Sequence, residues 1–185
     1  MSRRALYLAP WRVDLEIRDG VAVPVSAARL ARAIGSALDA AGAPGPAAIG
    51  LILTDDAELA GLNTTHMGVS GPTDVLSFPL LPPTSFPAHP GGPSAGRPDD
   101  AAEPAFALPP GARVQLGDIV VSVERAAEQA AAGRGGQTGD VRWSVDDELR
   151  LLVTHGALHV CGWDHADPVE GDAMRSLEQR LLAAG

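Results

Sequence analysis

Near its C-terminal end the chain reads HGALHVCGWDH, from His155 to His165, and three of the protein's five histidines fall in this stretch. Residues four apart on a helix share a face, with β-carbons about 5–6 Å apart. His155 and His159 therefore aim their rings at one point, and zinc accepts imidazole nitrogen at about 2.0–2.1 Å. Gly162 lets the backbone leave the helix sharply, so that His165 returns as a third ligand. Three protein ligands leave a coordination position for water or substrate, as in catalytic rather than structural zinc sites. Cys161 lies two residues past His159, on nearly the opposite helix face, and reads as a small buried hydrophobe.

The same histidine spacing occurs in the metzincin proteases, H-E-x-x-H-x-x-G-x-x-H, where the glutamate after the first histidine is the general base. Here that position is Gly156. The metal site is kept while the group that deprotonates the attacking water in peptide hydrolysis is gone, which argues against a protease. A degenerate protease would need a glutamate from elsewhere, and Glu148, about two helical turns before His155, is poorly placed. Gly156 is expected to leave open space on the floor of the metal site.

The elements that must hold these residues are legible around them. Residues 12–18 alternate apolar and charged, the pattern of a half-buried strand. Ser26 reads as the N-cap of a helix with Leu30, Ile34 and Leu38 on its inner stripe and Gly42 as its stop. A buried strand is expected at 47–53, a short helix behind Asp55 and Glu58, a strand from Val75 to Phe78, and another from Ile119 to Ser122. VERAAEQAAA continues as a helix. Ser144 caps a long helix running to Cys161, and Asp167, Pro168 and Glu170 carry the start signals of a last one, with Met174, Leu177 and Leu181 inside. Thr73 and Asp74 are read as a strand start without chemistry. The fold class is α+β: a single domain over 1–185, about four strands in a mixed sheet packed with four to five helices, and a metzincin-like three-histidine metal site. Residues 82–112, rich in Pro and Gly, read as a flexible surface insertion with His89 solvated inside it.

Acids outnumber bases 23 to 14, for a net charge of -9, and every base is an arginine. Such a balance argues against broad, salt-sensitive adhesion to nucleic acid but leaves room for a local arginine-lined cleft. Arg113, Arg125 and Arg150 are candidate phosphate contacts. No apolar run is long enough for a membrane span, and the start, broken by Pro10 and Arg12, does not read as a secretory signal. A lone cysteine fits a reducing cytoplasm.

Three blocks together carry a resemblance: GPTDVLSFP at 71–79, LGDIVVSVERAAEQA at 116–130, and HGALHVCGWDH followed by a helix ending MRSLEQRLL. They are similar to the bacterial YbeY family of rRNA maturation factors, whose signature is H-G-x-L-H-x-x-G-(Y/W)-D-H. The resemblance implies a cytoplasmic, metal-dependent, single-strand-specific endoribonuclease acting in small-subunit rRNA 3′-end maturation and ribosome quality control. Its partners would be single-stranded RNA, rRNA and the small ribosomal subunit, and its cofactor one zinc ion on His155, His159 and His165. The alternative is a non-catalytic, zinc-stabilised ribosome-assembly factor, which a fourth protein ligand would favour. One departure stands out: where many relatives carry an aromatic residue and then an arginine, this chain has His66 and Met67. A thioether cannot clamp phosphate through paired donors, whereas His66 offers a partial substitute as donor or a surface residue without a role. Asp164 is read either as an acceptor orienting a ligand imidazole or as a turn-stabilising side chain. Trp163 is expected to pack under the turn rather than stack a base. No side chain is assigned as the general base.

Overall fold

A computed structural model of the chain describes residues 1–92, 109, 112–133 and 143–184. The alternating segment forms β2 (Trp11–Ile17), which buries Trp11, Val13 and Leu15. Its partner on one side is β3 (Ala47–Thr54), parallel and buried along nearly its whole length. On the other side lies β1 (Ser2–Leu8), antiparallel and in register from Ser2 opposite Ile17 to Leu8 opposite Trp11. β4 (Val75–Pro79) and β5 (Val114–Ser122) complete a five-stranded mixed sheet of order β1-β2-β3-β5-β4. β5 runs parallel to β3 and antiparallel to β4.

The α+β class and mixed sheet are as expected, with one strand more than the four read from the sequence. β1 is an edge strand held by backbone pairing and mostly exposed; only Leu6 and Leu8 pack, half-buried, against the core, too short an alternation to mark a strand. β5 begins five residues before the expected Ile119, because Gln115 and Asp118 interrupt the apolar run. The ladder tolerates them through a register shift opposite Ala48 and Gly50, the kind of irregularity a bulge supplies.

Among the described residues five α-helices pack around the sheet. α1 (Ala27–Ala40) starts where the Ser26 hydroxyl accepts the Arg29 N–H, and buries Leu30, Ile34 and Leu38. α2 (Asp56–Leu62) is capped by Asp55 and runs on into a π-helical turn at Asn63–Met67. α3 (Val123–Ala131) follows β5 directly. α4 (Val145–Val160) opens on a capping box between Ser144 and Asp147 and touches α1, α3, α5, β4 and β5. Leu149, Leu152, Val153, Leu158 and Val160 are all buried along it; each such aliphatic side chain contributes about 1.5–3 kcal/mol when fully buried. α5 (Pro168–Ala184) starts with the Asp167 carboxylate accepting the N–H groups of Val169 and Glu170.

The segment expected as a surface insertion falls largely outside the described residues, at 93–108 and 110–111. Its described start, residues 82–92, is exposed at most positions but is held to the body of the protein at Phe86 and His89. Phe86 is part of the main core, and the expectation of a solvated His89 is wrong: its side chain is 9% exposed. Proline and glycine density is a poor guide to solvation where a single aromatic can anchor the chain.

Candidate metal centre

α4 runs long enough to carry both His155 and His159 in its last turns and stops at Gly162, whose φ of +84 turns the chain away from the helix axis. The Trp163 N–H is tied back to the Leu158 carbonyl at 3.1 Å, and the turn delivers His165 to the two rings on α4. One ring nitrogen from each of His155, His159 and His165 falls within 4.8 Å of the others. The ring centroids are 4.4 Å apart for His155–His159, 5.7 Å for His155–His165 and 5.2 Å for His159–His165.

The tautomers follow from the far side of each ring. His159 Nδ1 is 2.8 Å from the Trp163 carbonyl, which only accepts, so Nδ1 carries the proton. His155 Nδ1 is 2.7 Å from Glu178 Oε1, and a carboxylate likewise only accepts, so this Nδ1 carries the proton too. Both Nε2 atoms are then lone pairs, and they face each other at 3.0 Å. Two lone pairs at that distance repel unless a cation lies between them. Tetrahedral zinc with bonds of about 2.0–2.1 Å would hold two ligand nitrogens roughly 3.3 Å apart, so the donor set and its spacing fit a divalent ion. Burial, and next the neighbouring His155, push the His159 imidazole down from 6.5 to about 4, which keeps it in the neutral, ligating form at pH 7.

A family model described as Endoribonuclease YbeY matches residues 18–184. The chain belongs to the YbeY family. Relatives named Endoribonuclease YbeY include one from Roseiflexus sp. (strain RS-1), 36% identical over 93% of this chain and 91% of its own. Another, from Thermobifida fusca (strain YX), is 37% identical over 92% and 93%. A third, from Mycobacterium tuberculosis (strain CDC 1551 / Oshkosh), is 42% identical over 74% and 63%. A Thermotoga maritima protein solved in solution matches with a TM-score of 0.47 and 19% identity, covering 93% of this chain and 90% of that one. No helix among the described residues is long and apolar enough to cross a membrane.

Within this YbeY chain the acceptors that orient the ligand rings are not the one singled out in the sequence. Asp164 accepts the backbone N–H of His165 at 2.7 Å, and that bond holds its carboxyl below the usual range. It stabilises the turn. Glu178 does the orienting on His155, and sequence reasoning missed it. A signal was present: Glu178 sits between Leu177 and Leu181 on the inner side of α5, where a buried acid needs a partner. The Trp163 carbonyl, being backbone, left no such trace.

Gly156 also plays a different part from the expected one. A β-carbon there would come within 2.7 Å of Ile119 Cγ2, 3.2 Å of Ser77 Oγ and 3.3 Å of Val75 Cγ2. It faces the sheet rather than the metal cleft and lets α4 sit directly on β4 and β5, where the Ser77 hydroxyl donates to the Gly156 carbonyl at 3.1 Å. Glu148 is buried and accepts the Trp143 indole N–H at 2.5 Å.

The remaining candidates divide. Cys161 is 1% exposed, and burial pushes its thiol up to about 12, as suits a buried hydrophobe. His66 lies on the π-helical turn edge-on to Phe78, with centroids 5.2 Å apart, and Met67 is exposed beside it. Arg113 donates to the Pro10 carbonyl, Arg125 pairs with Asp56 and Glu128, and Arg150 donates to the Leu182 carbonyl. None of the three is brought together with the histidines. Asp74 accepts Val75 N–H and the Gln129 amide, beside Thr73, as a strand start should. Trp163 packs face to face on His89, with centroids 4.1 Å apart.

Proposed function

We propose that this YbeY-family chain is a metal-dependent endoribonuclease cutting single-stranded RNA, with one zinc ion on His155, His159 and His165. On this reading it acts in the cytoplasm, in maturation of small-subunit rRNA 3′ ends and in ribosome quality control. Single-stranded RNA, rRNA and the small ribosomal subunit are its partners. The domain spans 1–185, with residues 82–112 as a Pro/Gly-rich insertion.

The observation that carries the reading is the approach of the two Nε2 atoms to 3.0 Å, with His165 beside them. A bound divalent ion supplies Lewis acidity toward the negative charge that develops on a phosphodiester under attack. The chain's own residues prepare for it. Glu178 and the Trp163 carbonyl hold the two Nδ1 protons, keeping both Nε2 lone pairs aimed inward. Glu178 adds negative charge behind His155, which strengthens its Nε2 as a donor to a metal. His165, the exposed member of the trio, sits on the side open to solvent and to an entering strand. Among the described residues the group has three members, a count that supports a catalytic site over the alternative of a zinc-stabilised assembly factor.

The test is cleavage of an unstructured RNA oligonucleotide by the metal-loaded wild type and by His159→Ala. Cleavage by the wild type with loss in the variant is expected. Equal rates would separate the histidines from the reaction, and a zinc-loaded wild type that cuts nothing would favour the assembly factor.

A further inference from the structure

The start of the proline-rich segment reaches across the molecule to the turn that carries His165. Phe86 anchors it in the core. Three residues on, the His89 ring lies flat on Trp163, with an interplanar angle of 11°. Its Nε2–H donates to Glu170 Oε1 at 2.7 Å, and the two side chains are only 9% and 5% exposed. Gly91 makes the approach possible, since a β-carbon there would fall 2.4 Å from the Glu170 nitrogen.

Glu170 is the junction. The same Oε1 that accepts the His89 Nε2–H also accepts the backbone N–H of Asp164 at 2.7 Å. Asp164 stands between two residues that the metal centre uses. On one side the Trp163 carbonyl orients His159. On the other, His165 is tied to the Asp164 carboxylate through its own N–H. One buried oxygen thus ties the middle of the turn, at Asp164, to the start of α5, and His89 is the side chain that meets that oxygen while covering Trp163. A histidine 81 residues away in sequence from Glu170 would not be kept nearly solvent-free by chance packing of a surface loop. Among the described residues its buried Nδ1 has no hydrogen-bond partner, a cost that the Nε2 bond and the stacking must offset.

We propose that His89 is a positioning residue for the metal centre: through Glu170 it locks the 163–167 turn so that His165 and the Trp163 carbonyl stay aligned with the two histidines of α4. This role presupposes that the three histidines hold a metal ion, as proposed above.

The experiment uses the full chain and the metal alone. Cobalt(II) absorption spectra and zinc affinity, by competition with a chromophoric chelator, are recorded for the wild type, His89→Ala, His89→Gln and His89→Asn. Glutamine places an amide N–H where Nε2 stands, whereas asparagine is one carbon too short to reach Glu170. His89→Ala and His89→Asn are expected to bind about ten-fold more weakly, at the lower end for groups that orient ligands from behind, with altered cobalt bands. His89→Gln should bind like the wild type. Unchanged affinity in His89→Ala overturns the proposal, and so does equal weakening in the glutamine and asparagine variants, which would reduce His89 to filler. If His89→Ala does not fold, the glutamine–asparagine pair decides alone. A wild type that binds no metal sinks the metal-site reading first, and this proposal with it.

Discussion

Gly156→Ala is the sharpest test of how α4 reaches the sheet. The added β-carbon would lie 2.7 Å from Ile119 Cγ2, a methyl on the branch point of a fully buried strand residue, which cannot swing aside as the tip of a long side chain would. Ser77 Oγ and Val75 Cγ2, at 3.2 and 3.3 Å, close the remaining directions. Overpacking costs about 1–3 kcal/mol, and a 2.7 Å contact with a branched, buried methyl belongs to the upper half of that range, about 2–3 kcal/mol, while replacing a mid-helix glycine by alanine returns about 0.8–1.0 kcal/mol. The net is a loss of about 1–2 kcal/mol, and for a domain of this size each kcal/mol lowers Tm by roughly 2–4 °C. Thermal unfolding followed by circular dichroism should therefore show Tm reduced by roughly 2–8 °C. Gly156→Glu, which restores the metzincin base by sequence, should not fold, because it drives a carboxylate between α4 and the sheet. A Gly156→Ala protein as stable as the wild type, or a folded Gly156→Glu with a carboxylate at the metal, would refute the claim that this glycine serves packing.

Three further outcomes follow from single contacts. Glu178→Ala removes the acceptor behind His155 and should weaken zinc binding about 10–100-fold in chelator competition; unchanged affinity would mean that the 2.7 Å bond to His155 Nδ1 does not orient the ligand. The Cys161 thiol, pushed up to about 12 by burial, should resist alkylation at pH 8 in the folded protein and react promptly in urea, with labelling of the native protein counting against its burial. Hydrogen bonds from Arg18, and also from Thr54, hold the Glu58 carboxyl below its ordinary 4.5. A depressed folded pKa gives stability that is present above the unfolded value and lost as pH falls through the folded one. Urea unfolding should then show wild type more stable than Glu58→Gln at pH 7, with the gap closing as pH drops below 4.5.

The metal trio was legible because its geometry is local. A four-residue helical step and a glycine stop are set by backbone rules alone, so His155, His159 and His165 could be grouped without knowing what lies around them. The same holds for β2 and α1 and for the caps at Ser26, Ser144 and Asp167, each a matter of periodicity or of one side chain meeting a nearby N–H. What the chain's order of residues could not disclose are contacts between distant segments. β1 pairs through its backbone and packs only Leu6 and Leu8, half-buried, on the core; Glu178 meets His155 only once α5 folds back along α4; Gly156 is needed by a sheet whose strands lie 34 or more residues earlier. His89, in a stretch whose composition suggests solvent, is buried because Phe86 anchors the chain and Trp163 and Glu170 offer it a stacking face and an acceptor. Local sequence sets which groups a helix or turn presents, while the free energy of burying them is decided by whichever remote surface arrives to cover them.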